Sequence, residues 1–403
     1  MKLPSSIFRD RMFLETLAGA SIRIAGGIGA LLLAGSALAG LLVEGAGPHF
    51  WRAYLVGFAY FLSLSLGALF FVLLQHLTRS GWSVVLRRLA EGIAANMGLL
   101  AILSVPLFLF GLRSLYPWAD AEVAAHDPLV RAKSAYLNVP FFWVRWAVYF
   151  AVWCLTARWF LNRSVEQDRS GDVGLTLRME RASAPAMVLF AFTTTFAAFD
   201  LLMSRDPHWY STIYGIYFFA GGVLGFFALL VVAACVTQRA GRMQRMITAE
   251  HYHDLGKLLF AFTVFWAYIA FSQYMLIWYA DIPEETGWYL KRQSGTWAWV
   301  SLALVIGHFF VPFLALLSRV PKRRKTMLVQ AALWLLAMHA IDHYYLAVPD
   351  SGGPALPPHP LYFTVFLGMA GLSVAAAGRC FRTRSLVPEK DPRLQESIAF
   401  ENA

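Results

Sequence analysis

His339, Asp342 and His343 stand three and four residues apart, the spacing that places three side chains on one face of a helix. Two imidazoles that titrate near neutrality beside a carboxylate can relay protons, hold neighbouring helices in a hydrogen-bonded network, or ligate a metal. One helix offers only three ligands and no nearby cluster completes a metal site, so relay and network are the readings carried forward. A second carboxylate, Asp200, sits in the run Ala197-Ala198-Phe199-Asp200-Leu201-Leu202, with Arg205 and His208 shortly after it. So placed, Asp200 can carry protons or bind a quinol, and it can equally be half of a structural ion pair with Arg205. His308 lies in the middle of an apolar stretch and precedes Pro312. It suits a proton hand-over between water chains, or a bond to a backbone carbonyl that the proline frees. Gln273, between Ser272 and Tyr274, and Asp254, beside His251, His253 and Lys257, add polar groups toward the two ends of one further stretch.

The elements that hold these residues are apolar and long. Ten stretches, roughly 22–43, 52–76, 90–112, 139–161, 185–203, 211–236, 257–279, 297–317, 326–347 and 361–381, divide the chain. At about 1.5 Å per residue each approaches the ~30 Å of a bilayer's hydrocarbon core. Most Lys and Arg residues fall in every second gap, which by the positive-inside rule orients ten spans with both termini in the cytoplasm. The expected class is an all-α integral membrane protein. An intramembrane Asp costs about 2.5–3.5 kcal/mol on insertion scales, so each polar group above needs a partner, water or a purpose.

Composition agrees: 58% hydrophobic and 14% charged residues leave too few charges to coat a soluble domain of 403 residues. The net charge of +10 is not a nucleic-acid footprint, because the basic residues form short clusters such as Arg319, Lys322, Arg323, Arg324 and Lys325 that suit anionic lipid heads. Ala37-Leu38-Ala39 imitates a signal-peptidase site, yet the preceding apolar run is too long for a signal core and reads as a retained span. The three cysteines, Cys154, Cys235 and Cys380, are placed near inner ends of spans as free thiols. Without a Cys-x-x-Cys or Cys-x-x-Cys-His motif there is no sequence basis for an iron–sulfur cluster, an attached c-type haem or a structural zinc. No cofactor is expected on this chain.

Loop parity suggests a repeat. Spans 2–5 (52–203) and 6–9 (204–347) both start outside and use a longer outer loop midway, which predicts two parallel-related four-helix bundles flanked by span 1 (1–51) and span 10 (348–403). The long outer loops begin alike, Tyr116-Pro117-Trp118-Ala119-Asp120 against Trp278-Tyr279-Ala280-Asp281. The tail beyond Arg382 reads as short, polar and mobile.

The run Leu74-Gln75-His76-Leu77-Thr78-Arg79-Ser80-Gly81-Trp82-Ser83-Val84-Val85, with Arg87-Arg88, resembles the cytoplasmic turn of the F subunit of bacterial alternative complex III, a quinol:cytochrome c (or high-potential acceptor) oxidoreductase. The Phe199-Asp200 to Tyr217 segment and Phe271-Ser272-Gln273-Tyr274-Met275 resemble it too. The resemblance implies an NrfD/polysulfide-reductase-like fold in the bacterial inner membrane. The partners it implies are an iron–sulfur subunit, multihaem c-type cytochrome subunits and a sister NrfD-like C subunit that carries the quinol or menaquinol site. On that reading this chain supports its sister and conducts protons through Asp200, His208, His308, His339, Asp342, His343, Gln273 and Asp254. Two alternatives stand beside it: a quinol-oxidising NrfD-type subunit in its own right, and a free-standing secondary transporter.

Overall fold

The computed structural model describes residues 16–349, 359–382 and 384–402. Among them the structure is helical, with no β-strand. Ten long helices follow one another: α1 (Thr16–Leu42), α2 (Ala46–Leu77), α3 (Val84–Phe110), α4 (Val139–Ser170), α5 (Val173–Leu201), α6 (Tyr214–Arg239), α7 (Ala249–Ala280), α8 (Trp297–Leu317), α9 (Lys325–Ala347) and α10 (Leu361–Cys380). Nine of them are long and apolar enough to cross a bilayer, so the chain is a multi-pass membrane protein. The other, α9, has 23 residues but carries Gln330, His339, Asp342 and His343, which lower its hydropathy.

Two helices are interior. The most apolar window of α2 is 89% buried, against 11% for that of α1 at the periphery. The helix α2 touches α3, α5, α6, α9 and α10, and α6 in turn touches α7 and α9. The outer helix α1 lies along α10, where a Cβ at Gly29 would come within 2.7 Å of the Gly368 carbonyl, so small residues permit close backbone contact. Exposed Ile24, Leu31, Leu41 and Leu42 on the far side of α1 are what a lipid-facing helix requires.

Several helices overshoot their apolar stretches because polar residues begin or extend them. Asn138 caps α4 by accepting from the Phe141 N–H, and α4 continues to Ser170. That extension leaves Cys154 midway along α4 rather than near an inner end; Cys235 and Cys380 do lie near the ends of α6 and α10. In α8 residues Leu304–Phe310 form a π-helical segment just before Pro312, whose missing N–H cannot bond the His308 carbonyl one α-turn back. The likeness between the two long outer loops does not extend to packing: Tyr116 and Trp118 are buried, whereas Trp278 and Tyr279 are exposed.

The tail is packed, contrary to the mobile segment expected. Leu386, Val387 and Leu394 are buried, and Asp391 pairs with buried Arg87 on α3. Arg393 reaches Glu180 of α5 at 2.8 Å, Ser397 donates to the Trp82 carbonyl at 2.6 Å, and Lys257 of α7 donates to Asn402 at 2.7 Å. A polar sequence misleads here because its polar groups find fixed partners on the ends of the helices that carry the basic loops, called the inner end below. At Gly81 a Cβ would lie 2.1 Å from the Glu396 carboxylate, so the tail crosses close to that turn and a larger residue there would displace the Glu396 side chain.

Candidate functional site

Asp200 and Asp342 are both buried, in opposite electrostatic settings. Asp200, near the end of α5, receives Arg145 Nε and Nη2 of α4 at 2.9 Å each, and the Tyr149 hydroxyl at 2.8 Å. The guanidinium also donates to the Tyr136 carbonyl and stacks on the rings of Tyr136 and Phe141. Arg205, one of the partners the sequence offered, is not the arginine that pairs with Asp200. The α-helix ends at Leu201 and Arg205 lies in the separate 3₁₀ turn Met203–Arg205, whereas Arg145 faces Asp200 from the neighbouring helix. The signal for Arg145 was present as an arginine inside an apolar stretch.

Asp342 on α9 has no Lys or Arg partner among the described residues. It accepts the Tyr217 hydroxyl of α6 at 2.6 Å and Trp266 Nε1–H of α7 at 3.2 Å. Around it the fold gathers three histidines that the sequence put at different depths. His339 and His343 lie 4.4 Å apart between ring centroids, and His308 of α8 lies 6.3 Å from His339 and 4.0 Å from Trp266. All three imidazoles and Asp342 are essentially inaccessible to solvent.

Hydrogen bonding orients two of the rings. Ser63 Oγ lies 2.8 Å from the Tyr60 carbonyl and 2.9 Å from His339 Nε2. His343 Nδ1–H donates to the His339 carbonyl at 3.0 Å. His339 Nδ1, His343 Nε2 and both ring nitrogens of His308 are buried without a hydrogen bond of normal geometry, with the Ala59 carbonyl close to His343. His308 thus makes no bond to the carbonyl near Pro312. Buried polar atoms are normally satisfied, so four such nitrogens close together single this cluster out as the candidate site. The chain makes room for it: a Cβ at Gly225 of α6 would lie 2.7 Å from His339 Cδ2. No group of three or more His, Cys, Asp or Glu among the described residues is arranged to hold a metal ion.

The remaining sequence candidates fall elsewhere. His208 is half exposed in the loop after α5, with Nε2 at 2.6 Å from Asp127. The backbone N–H of Val130 chiefly holds the Asp127 carboxyl below its ordinary value. Asp254, near the inner end of α7, pairs with Lys257 and is joined to neither buried carboxylate. Gln273 is buried, accepts from Ser211 at 3.0 Å and donates to the Tyr289 hydroxyl oxygen at 3.0 Å. It lines a cavity of about 790 Å³ whose walls also include Tyr217 and Trp266, the two donors to Asp342. Trp266, Tyr149, Ser63 and the role of Tyr217 carry no sequence signal, because each meets its partner on another helix.

Comparison with known proteins finds no matching family model and no matching curated protein.

Proposed function

We propose that this chain is the F-type membrane subunit of a quinol:cytochrome c (or other high-potential acceptor) oxidoreductase of the alternative complex III kind. On this reading ten spans cross a bacterial inner membrane with both termini inside, and spans 2–5 and 6–9 form two parallel-related four-helix units. The chain brings no redox centre. It stands beside a quinol-oxidising C subunit, an iron–sulfur subunit and multihaem c-type cytochromes, and its second unit conducts protons.

The observation that carries the proton reading is Asp342, buried without a cation beside three histidines with bare ring nitrogens. A proton reaching His339 Nδ1 or His343 Nε2 makes an imidazolium whose charge Asp342 balances, and Tyr217 and Trp266 hold the carboxylate in place. Each unit has an Asp toward the end of its last helix. In the first, α4 supplies Arg145, and the fixed ion pair suits a structural role; in the second, α8 supplies neutral His308, which leaves Asp342 free to change protonation.

A tagged copy expressed in its native host tests the assembly: multihaem c and iron–sulfur polypeptides should co-purify, and purification of this chain by itself would reject the complex. Asp342→Asn tests conduction. Quinol oxidation by the assembled complex should persist while proton translocation falls.

A further inference from the structure

The inner end of α7 meets the short helix Arg319–Arg323 that joins α8 to α9. Gly256 permits the approach, since a Cβ there would lie 2.9 Å from Lys322 Cβ. Glu250, His253, Asp254 and Lys257 follow one another at helical spacing and so share one face of α7. The two carboxylates on that face are taken: Glu250 pairs with Arg323, and Asp254 with Lys257.

Lys322 has no carboxylate partner among the described residues. Its Nζ lies 3.4 Å from the Leu317 carbonyl and 5.1 Å from the centre of the Phe260 ring. Burial and the neighbouring Lys257 lower its pKa from the ordinary lysine value, as befits a cation short of negative charge. His253 is 5% exposed and lies within electrostatic reach of Lys257, Arg319 and Arg323. Its Nδ1 is buried without a hydrogen bond, so a second polar group at this end of α7 awaits a partner.

Toward the membrane the wall becomes apolar. Phe260 of α7 stacks on Phe313 of α8 with ring centres 5.4 Å apart. Val264 and Leu317, each one helical turn on from a ring, are exposed on surfaces that a bilayer would cover. An ammonium and an imidazole that both lack an acceptor, set above an apolar seam, fit the phosphate and the acyl chains of one molecule.

We propose that the seam between α7 and α8 holds one anionic phospholipid, with its phosphate against Lys322 and His253 and an acyl chain along Phe260, Val264 and Leu317. This differs from the general attraction of basic loops for acidic membranes, because it names one site with one order of preference, anionic over zwitterionic heads. It rests on the membrane-spanning character of the chain and is independent of the complex proposed above.

The test is native mass spectrometry of the full chain, stripped of lipid in a mild detergent. The chain is titrated with phosphatidylglycerol or with phosphatidylcholine of the same acyl composition. One phosphatidylglycerol should bind ahead of the rest, and phosphatidylcholine should not replace it. Lys322→Gln should weaken that first binding about tenfold, ~1.4 kcal/mol, and Lys322→Arg should keep it. Arg324→Gln, which removes the same charge from an exposed neighbouring position, should leave it unchanged. Phosphatidylglycerol with a diazirine on its acyl chain should label 257–264 and 313–322 of the parent chain, which decides the matter if Lys322→Gln does not fold. Displacement of the lipid by inorganic phosphate at matched ionic strength would overturn the proposal in favour of a free-phosphate site. Equal binding of the two lipids, equal weakening by Lys322→Gln and Arg324→Gln, or label spread over the other inner ends would overturn it outright.

Discussion

Arg145 and Asp200 meet through two hydrogen bonds of 2.9 Å, the fork of the guanidinium matching both carboxylate oxygens. Such bidentate pairs hold geometry as well as charge, and this one ties α4 to α5 near their outer ends.

Removing one member should therefore act on folding. Asp200→Asn leaves Arg145 buried without its counter-charge, and breaking a buried pair costs about 3–5 kcal/mol. We expect low yield and a lowered unfolding temperature for Asp200→Asn and for Arg145→Met. The double variant Arg145→Met/Asp200→Leu should recover much of the loss in a thermal-unfolding cycle. A normally stable Asp200→Asn protein with impaired proton movement would return Asp200 to the relay.

Asp342→Asn should behave differently. The amide oxygen can still accept from Trp266 Nε1–H, the amide N–H can donate to the Tyr217 hydroxyl oxygen, and no cation is stranded. Assembly and thermal stability should be close to those of the parent, with the loss confined to proton translocation, measured as pH change per quinol oxidised. Collapse of the fold in this variant would make the cluster structural.

Gly225→Ala tests the space around the histidines. The added Cβ would stand 2.7 Å from His339 Cδ2 and 2.8 Å from Leu64 Cδ2, both buried. Overpacking of this kind costs about 1–3 kcal/mol. The unfolding temperature should fall, whereas Gly241→Ala, at a loop position with no atom within 4 Å, provides a contrast in which only the backbone strain of φ +73° is felt.

Truncation after Arg382 should weaken the inner end. Leu386, Val387 and Leu394 would leave their buried positions, and Arg87 would lose Asp391. Limited proteolysis should then cut the turn near Gly81 and the α4–α5 turn near Gly171, sites that resist it in the full chain. Unchanged protection would show that the tail merely rests there.

Length, apolar patterning and the placement of Lys and Arg were enough to mark a multi-pass helical protein, because burying a backbone in lipid leaves few solutions other than helices long enough to cross it. The face shared by His339, Asp342 and His343 was also readable, since helical spacing is local. Partners were not. Whether Asp200 met Arg205 or Arg145, whether His308 came within 6.3 Å of His339, and whether Ser63 on α2 held His339 depended on how helices far apart in the chain pack. A one-residue change in helix rotation turns a side chain by about 100° and exchanges one partner for another. The tail shows the same limit: its composition matches a mobile segment, yet Asp391, Arg393 and Ser397 find fixed counterparts in Arg87, Glu180 and the Trp82 carbonyl. Local sequence determines which groups must be satisfied inside the membrane; the packing of distant helices decides which group satisfies each, and so separates a locked ion pair at Asp200 from an Asp342 without a counter-ion.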